Sequence, residues 1–371
     1  MQKALLKEEL GLSWVTIPVF ILLFGFIVLV HEGGHFLSAR WCGATVHEFA
    51  IGWGPVLFRT RKKGVLYSWR AIPFGGYVKV AGMDLVLEGK PVKKNPGEKL
   101  FSELAYWQKS LILVSGSLGN LLCALLTFIF IAAVLGLPAQ VQNDRAVIGF
   151  VEPNSPAYEA GLAAGDEIIA LNDEPITQWA QLSGIIQRTS AGKLQLSIKR
   201  AGRVLVRELI PDFDPTLKVA RIGIYPVYVV RKLPWPEAIR YGVSFTGRQL
   251  VAIPVSVLQM LTGRDKPQFI GPIGMVGALD QALKSGLYLF FTMAASFHLF
   301  LGVFNLLPIP LPLLDGGWIV LYLLERLRRK EFKPEHKAVA QLIGLVVIMA
   351  FYLTVVFSDV TSMLRRLLPK G

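Results

Sequence analysis

The sequence predicts a polytopic α-helical membrane protein with four transmembrane helices, a membrane-associated β-hairpin region and an inserted α+β domain. Three observations carry this. Four apolar runs are long enough to cross a bilayer. Mean hydropathy is +0.49 over 371 residues, 53% of them hydrophobic, which is too apolar for a soluble protein of this size. Between the second and third runs, charges return together with short strand patterns.

The first span falls within residues 1–39, from about Gly11 to Ala39, with Pro18 early in it as a potential kink. No small-x-small cleavage site follows, so this run is read as a retained span rather than a signal peptide. Residues 40–109 form a basic loop. Within it, Gly43 to Phe58 and Val65 to Val80 carry strand-forming residues, divided by Arg59-Thr-Arg-Lys-Lys-Gly64, the pattern of a hairpin or two. Gly52-Trp53-Gly54-Pro55 and Pro73-Phe74-Gly75-Gly76-Tyr77 flank it, which suggests strands dipping toward the membrane. Non-helical backbone at that depth must be covered by protein or face water.

The second span occupies 110–138. Its Ser115-Gly116-Ser117 and Gly119-Asn120 are small residues that permit close helix packing, and Asn120 is open between a packing role and a role in a site. Residues 139–228 show strands at Ala146–Val151, Glu167–Leu171, Lys193–Lys199, Arg203–Ile210 and Ala220–Ile224. Helices are expected after Pro153-Asn154-Ser155 and over Thr177–Thr189. The 229–285 segment is mixed. Its Glu237–Leu261 stretch is read as an amphipathic helix on the membrane surface, in preference to a fifth, poorer span. The third span lies in 286–317 and runs into Asn305-Leu-Leu-Pro308-Ile-Pro310-Leu-Pro312-Leu-Leu-Asp315-Gly316-Gly317. Prolines so close cannot continue a regular helix, so the chain must unwind beside Asp315. A basic loop at 318–338 and a fourth span with tail at 339–371 complete the chain.

The net charge is +13. In a membrane protein this is read as basic loops near anionic lipid, with no nucleic-acid partner. Cys42 and Cys123 are the only cysteines, far apart, so neither a disulfide framework nor a cysteine-based zinc site can be built.

The chemistry concentrates at His31-Glu32-Gly33-Gly34-His35. Two histidines four apart share one face of a helix, so both imidazoles can bind one zinc ion. Glu32 stands beside them as a general base. The apolar run Trp14 to Val30 before the motif rises about 26 Å at 1.5 Å per residue. That places His31 deep in the bilayer, where ionisable residues mark function. A catalytic zinc needs a third protein ligand. The metzincin extension fails, since Ser38 and Trp41 stand where its glycine and third histidine would be. His47 and Glu48 are near in sequence but belong to the loop, and His298, inside the third span, reads better as a satisfied or packing histidine. Asp265, Asp280 and Asp359 have no support. Asp315 is preferred, because with four spans the ends of spans one and three lie on one side. Loops 40–109 and 318–338 share that side, and the positive-inside rule makes it cytoplasmic. The inserted domain and both termini are then extracytoplasmic.

These residues resemble the site-2 protease family. His31-Glu-Gly-Gly-His35-Phe-Leu-Ser-Ala-Arg40 looks like its signature, followed by the similar Phe49-Ala-Ile-Gly-Trp-Gly-Pro55. Pro73-Phe-Gly-Gly-Tyr-Val-Lys79 resembles its membrane-associated hairpin. Asn305-Leu-Leu-Pro-Ile-Pro310 with Leu314-Asp-Gly-Gly317 resembles its second motif, and Gly271-Pro-Ile273 also matches. Val147 to Asn172 is similar to a bacterial PDZ domain. The likeness covers nearly the whole chain and is strongest to RseP-type enzymes of the bacterial cytoplasmic membrane. It implies zinc as cofactor, His31, His35 and Asp315 as its ligands, Glu32 as general base, and Asn305 as a residue positioning the substrate backbone or the developing oxyanion. It also implies single-span membrane proteins as substrates, such as anti-sigma factors or signal-peptide remnants. The sequence departs from the family at three places: Leu311-Pro312 lengthens the Asn305-to-Asp315 spacing, Trp318 replaces a common histidine, and Ser115-Gly-Ser117 stands where Ala-Gly-Pro is usual.

A substrate helix must unwind before its carbonyls can be attacked. An extended segment can then add to a strand edge, which Gly75 and Gly76 are placed to supply. The PDZ domain would gate bulky substrates. The alternative is a catalytically inactive PDZ-bearing adaptor, which predicts loss of one of His31, Glu32, His35 or Asp315; all are present. A zinc transporter would need polar residues along several spans, and there are few.

Overall fold

The computed structural model describes residues 13–83, 95–141, 145–152, 155–189, 192–214, 219–263, 271–309, 314–330 and 332–367. The N-terminal decapeptide, Lys90, Lys93, Lys94, Pro153-Asn154, Asp265, Pro267, Leu311-Pro312 and Lys370 lie outside them. The chain divides into two compact units. One comprises Met1–Leu135 with Pro234–Gly371, the other Gly136–Leu233.

The first unit is built on long apolar helices. Helix α1, Thr16–Trp41, contains the His-Glu-x-x-His motif. Pro18 is its third residue, where the missing N–H costs no intrahelical bond. Helix α2, Tyr106–Phe130, continues into a single π turn, Ile131–Leu135. It begins earlier than its apolar run because the Gln108 side chain accepts from the Ala105 N–H at 2.9 Å, satisfying one orphan donor of the first turn.

Among the described residues, four helical segments are long and apolar enough to cross a membrane: Thr16–Trp41, Tyr106–Leu135, Leu287–Asn305 and Glu335–Thr361. Their outward faces are large and apolar. On α1, Ile17, Ile21, Leu22, Phe26 and Leu29 are exposed, while Phe20, Leu23, Ile27 and Val28 are buried. So much contiguous apolar surface is untenable in water and natural in lipid. The chain is a membrane protein.

Between α1 and α2 lies one antiparallel hairpin, β1 Val46–Lys62 and β2 Val65–Val80. Its turn is shorter than the sequence suggests, because the strand pairing persists to Lys62↔Val65. The pairing is folded back on itself. Glu48–Ile51 pairs with Gly76–Lys79 on one side and with Leu66–Trp69 on the other. Gly52 and Gly54, at φ +88° and +82°, make the bend that permits this, a backbone conformation costly for other residues. The Gly76–Lys79 segment thereby lies at the sheet's margin.

Beyond the strand at Tyr228–Arg231, the described residues of the mixed 229–285 stretch hold two helices. Helix α5, Trp235–Leu261, packs on α2 through Gly242 against Ile129 and Phe245 against Phe128, ring centroids 4.7 Å apart; it is not among the candidate spans. Helix α6, Pro272–Ser285, was not evident from the sequence. It ties the bundle together at both ends. Asp280 accepts from Ser13 N–H at 2.8 Å and Thr16 Oγ1 at 2.6 Å, holding the start of α1. Asp359 accepts from Gly271 and Gly274 N–H at 3.1 and 3.0 Å, closing the start of α6. Helix α7, Leu287–Asn305, is the third apolar helix, and Phe20, Leu23, Ile27, Leu279 and Ala294 form the core shared by α1, α6 and α7. The basic 318–338 segment is largely helical rather than loop: α8 spans Asp315–Arg328 and α9 spans Pro334–Leu367. Lys337 bridges to buried Glu325 at 2.7 Å between them.

The second unit has its own core of Ile148, Ile168, Leu171, Leu182, Leu194, Leu196 and Ile198. Strands β3 Glu167–Leu171, β4 Glu174–Pro175, β5 Leu194–Arg200 and β6 Arg203–Leu209 form a sheet in the order β4-β3-β5-β6. Helices α3, Pro156–Glu159, and α4, Trp179–Arg188, accompany it. Two strands are invisible to the sequence pattern. Leu137–Val141 pairs with Tyr228–Arg231 and closes the unit where the chain enters and leaves it, so the expected 139–228 boundaries cut through both.

Candidate metal centre

His31 and His35 project from successive turns of α1 with ring centroids 4.8 Å apart. Close packing of α2 fixes them. A Cβ on Gly116 would overlap the His35 ring, and one on Gly34 would overlap the Ser115 carbonyl. Only glycine at both positions lets the helices approach this closely. His35 donates Nδ1–H to the Ile112 carbonyl at 2.7 Å, which leaves its Nε2 lone pair free to bind.

Asp315 arrives from the other side of the sequence. Helix α7 ends at Asn305, ahead of the prolines, and Asp315 is the first residue of α8, where the helix N-terminus favours its negative charge. Gly316 makes this possible, since a Cβ there would collide with the Leu306 and Leu307 carbonyls. The Asp315 carboxylate lies 3.6 Å from His31 Nε2 and 3.4 Å from His35 Nε2. Ser117 Oγ donates to its Oδ2 at 2.8 Å. The His31, His35 and Asp315 ligand atoms all lie within 4.8 Å of one another. Two imidazole nitrogens and one carboxylate in such a cluster, with the outer nitrogen of His35 already engaged, suit a tetrahedral zinc with one position left over.

Glu32 is buried beside the pair. A Cβ on Gly76 would lie 3.0 Å from Glu32 Cγ and 2.6 Å from the Ala50 carbonyl, so the marginal strand of the hairpin rests directly on this carboxylic acid. Gly75, at φ +83°, faces Trp53. Asn305, the last residue of α7, brings Nδ2 to 3.3 Å from His31 Nε2. The longer spacing before Asp315 does not keep it from the cluster.

Other candidates are engaged elsewhere. His47 Nε2 pairs with Glu98 at 2.9 Å. Glu48 accepts from Ser68 Oγ at 2.7 Å and Arg70 Nη2 at 3.1 Å. Burial raises the Glu48 pKa, but the bonds from Ser68, Arg70 and Tyr77 outweigh it and hold the carboxyl below its usual value. Asp280 and Asp359 serve helix starts. Sequence reasoning missed Ser117, whose signal was the departure from Ala-Gly-Pro. His298, expected as a satisfied or packing histidine, has its Nδ1 3.0 Å from Asn120 Oδ1, and Asn120 Nδ2 lies 3.4 Å from His31 Nδ1.

Residues 19–351 match Peptidase family M50, and the chain belongs to that family. A putative zinc metalloprotease of Clostridium acetobutylicum is 29% identical, covering 94% of this chain and 98% of its own. The regulator of sigma-W protease RasP of Bacillus subtilis is 25% identical, covering 93% and 98%. The probable protease eep of Enterococcus faecalis is 27% identical over the same shares. Among solved structures, the PDZ domain of an SdrC-like protein from Listeria monocytogenes covers 24% of this chain at 19% identity, with a TM-score of 0.21, too low to argue from.

Proposed function

We propose that this protein is a zinc endopeptidase that cuts single-span membrane proteins within or beside their spanning segments. One observation carries the reading: two imidazoles, a carboxylate and an adjacent Glu32 converge on a helix long and apolar enough to span a bilayer. Bound zinc would supply Lewis-acid polarisation and lower the pKa of water at its open position. His31, His35 and Asp315 would hold it. Glu32 takes the proton of the attacking water and returns it to the leaving amine. Asn305 presents its amide where the carbonyl oxygen gains charge. The Gly75–Gly76 strand takes an unwound substrate segment by β-augmentation, and the lack of side chains there brings the substrate backbone against Glu32.

The family membership and the RasP relative support regulatory substrates of the anti-sigma type, with signal-peptide remnants as a further class. The positive-inside argument supports a bacterial cytoplasmic-membrane location with the site near the cytoplasmic face. It also supports an extracytoplasmic 136–233 unit, read as PDZ, to which we assign the gating of bulky substrates. The inactive-adaptor alternative has no observation in its favour. The test is cleavage of a single-span substrate in reconstituted membranes by wild type and Glu32→Gln. Wild type should cut and the variant should not; full cleavage by the variant would sink the chemistry. Deleting residues 146–224 should admit untrimmed substrates, and unchanged selectivity would count against gating.

A further inference from the structure

His35 and His31 are held from behind in different ways. Behind His35 stands a backbone carbonyl, that of Ile112, which can only accept. Behind His31 stands a side-chain relay: Asn120 at 3.4 Å from Nδ1, His298 at 3.0 Å from Asn120, and Cys123 Sγ at 3.5 Å from His298 Nε2. Asn120 is 0% and His298 2% exposed, so water does not substitute for a lost partner. The His298 ring also stands edge-on to Phe26 of α1, centroids 5.6 Å apart, so it is clamped against the helix that bears His31.

The proton count gives this relay a direction. His31 Nε2 faces His35 and Asp315, so Nε2 is its ligand atom and carries a lone pair. Neutral imidazole then bears its proton on Nδ1 and donates to Asn120. The Asn120 amide must meet it with Oδ1, an orientation one half-turn of the terminal torsion from the Nδ2-facing one. Asn120 Nδ2 then donates to His298 Nδ1. The remaining His298 proton sits on Nε2 and points at Cys123 Sγ, a weak acceptor. Each link of the relay joins a donor to an acceptor in this direction, and no group changes charge.

We propose that Asn120 and His298 are positioning residues for the zinc ligand His31, acting as a buried hydrogen-bond relay that selects its metal-binding tautomer. The inference rests on the metal-centre reading above. Outer partners of ligating histidines typically change metal affinity by about 10–100-fold when removed. The full-length protein in detergent is titrated with zinc against a competing chelator. In parallel, the metal-free protein is melted.

Asn120→Leu should weaken zinc binding by about 10–100-fold. Asn120→Asp, whose carboxylate still accepts from Nδ1–H, should bind within a few-fold of wild type. His298→Leu, which deprives the Asn120 amide of its acceptor, should give an intermediate loss and decides the matter if Asn120→Leu does not fold. Unchanged affinity in Asn120→Leu and His298→Leu would overturn the relay, leaving His31 oriented without either side chain. Loss of affinity that tracks a lower metal-free melting temperature, with no rescue by Asn120→Asp, would reduce the pair to packing and overturn it too. Failure of wild type to bind zinc would instead remove the metal-centre reading on which the relay stands.

Discussion

Glu32 on α1 is packed against Gly76 of the β-hairpin so closely that a single added carbon would lie 3.0 Å from the Glu32 Cγ. The proposed base and the proposed substrate strand are therefore in contact. Gly76→Val is expected to lower peptide cleavage at least about tenfold, because a 1 Å misplacement of reacting groups already costs more than that. Zinc content should stay near wild type, since His31, His35 and Asp315 are untouched. Cleavage and metal analysis on one preparation check this. A parallel loss of zinc would mean that Gly76 supports the metal centre rather than the substrate.

Ser117 Oγ donates to Asp315 Oδ2 at 2.8 Å from a position where site-2 proteases usually carry proline. Ser117→Ala removes a bond to a charged acceptor, a class worth about 1.5–3 kcal/mol. Zinc affinity measured against a chelator should fall roughly tenfold or more, with the fold intact because serine and alanine differ little in volume. Ser117→Thr keeps the hydroxyl and should hold metal better than the alanine variant.

The two α2 glycines should differ in severity. A methyl on Gly116 overlaps the His35 ring, whereas one on Gly119 meets the Val30 carbonyl at 3.1 Å, a distance a small shift relieves. Gly116→Ala is expected to abolish zinc binding by the otherwise folded protein. Gly119→Ala should bind zinc and lose only stability, by about 1–3 kcal/mol for local overpacking. Metal analysis beside thermal melts in detergent distinguishes the two.

Legibility followed the range of the physical signal. The apolar runs gave the four candidate spans because hydropathy is local, and His31, Glu32 and His35 were readable because one helical turn relates them. Asp315 needed the parity of the spans to join them, and the distances now show it beside them. What was hidden depends on contacts between distant segments. Helix α6 is mildly apolar and proline-flanked, and its identity as a helix rests on packing against α1 and on the Asp359 bonds to its start. The strands Leu137–Val141 and Tyr228–Arg231 are short and pair only with each other across the whole inserted unit. Asn120 was ambiguous for the same reason: its meaning lies in His31 and His298, on two other helices.

In the Gly136–Leu233 unit, Asp166 is 1% exposed and accepts from Arg200 Nε at 2.6 Å, Arg200 Nη2 at 2.7 Å and the Ala163 N–H at 2.9 Å. Burial by itself raises the carboxyl pKa, but the Arg200 guanidinium and the Ala163 amide outweigh it and hold Asp166 below the usual aspartate value. A carboxyl depressed in the folded state contributes stability that is fully present above its unfolded pKa of about 3.9 and is lost as pH falls through the folded value. Protection of the Ile168 and Ile198 amides at the sheet centre, corrected for intrinsic exchange, should thus be level from pH 7 to about 5 and fall below about 4. Asp166→Asn keeps the shape but cannot ionise, so its protection should start lower at pH 7 and respond less to acid. An acid limb as steep in the variant as in wild type would assign the loss to other carboxylates of the unit.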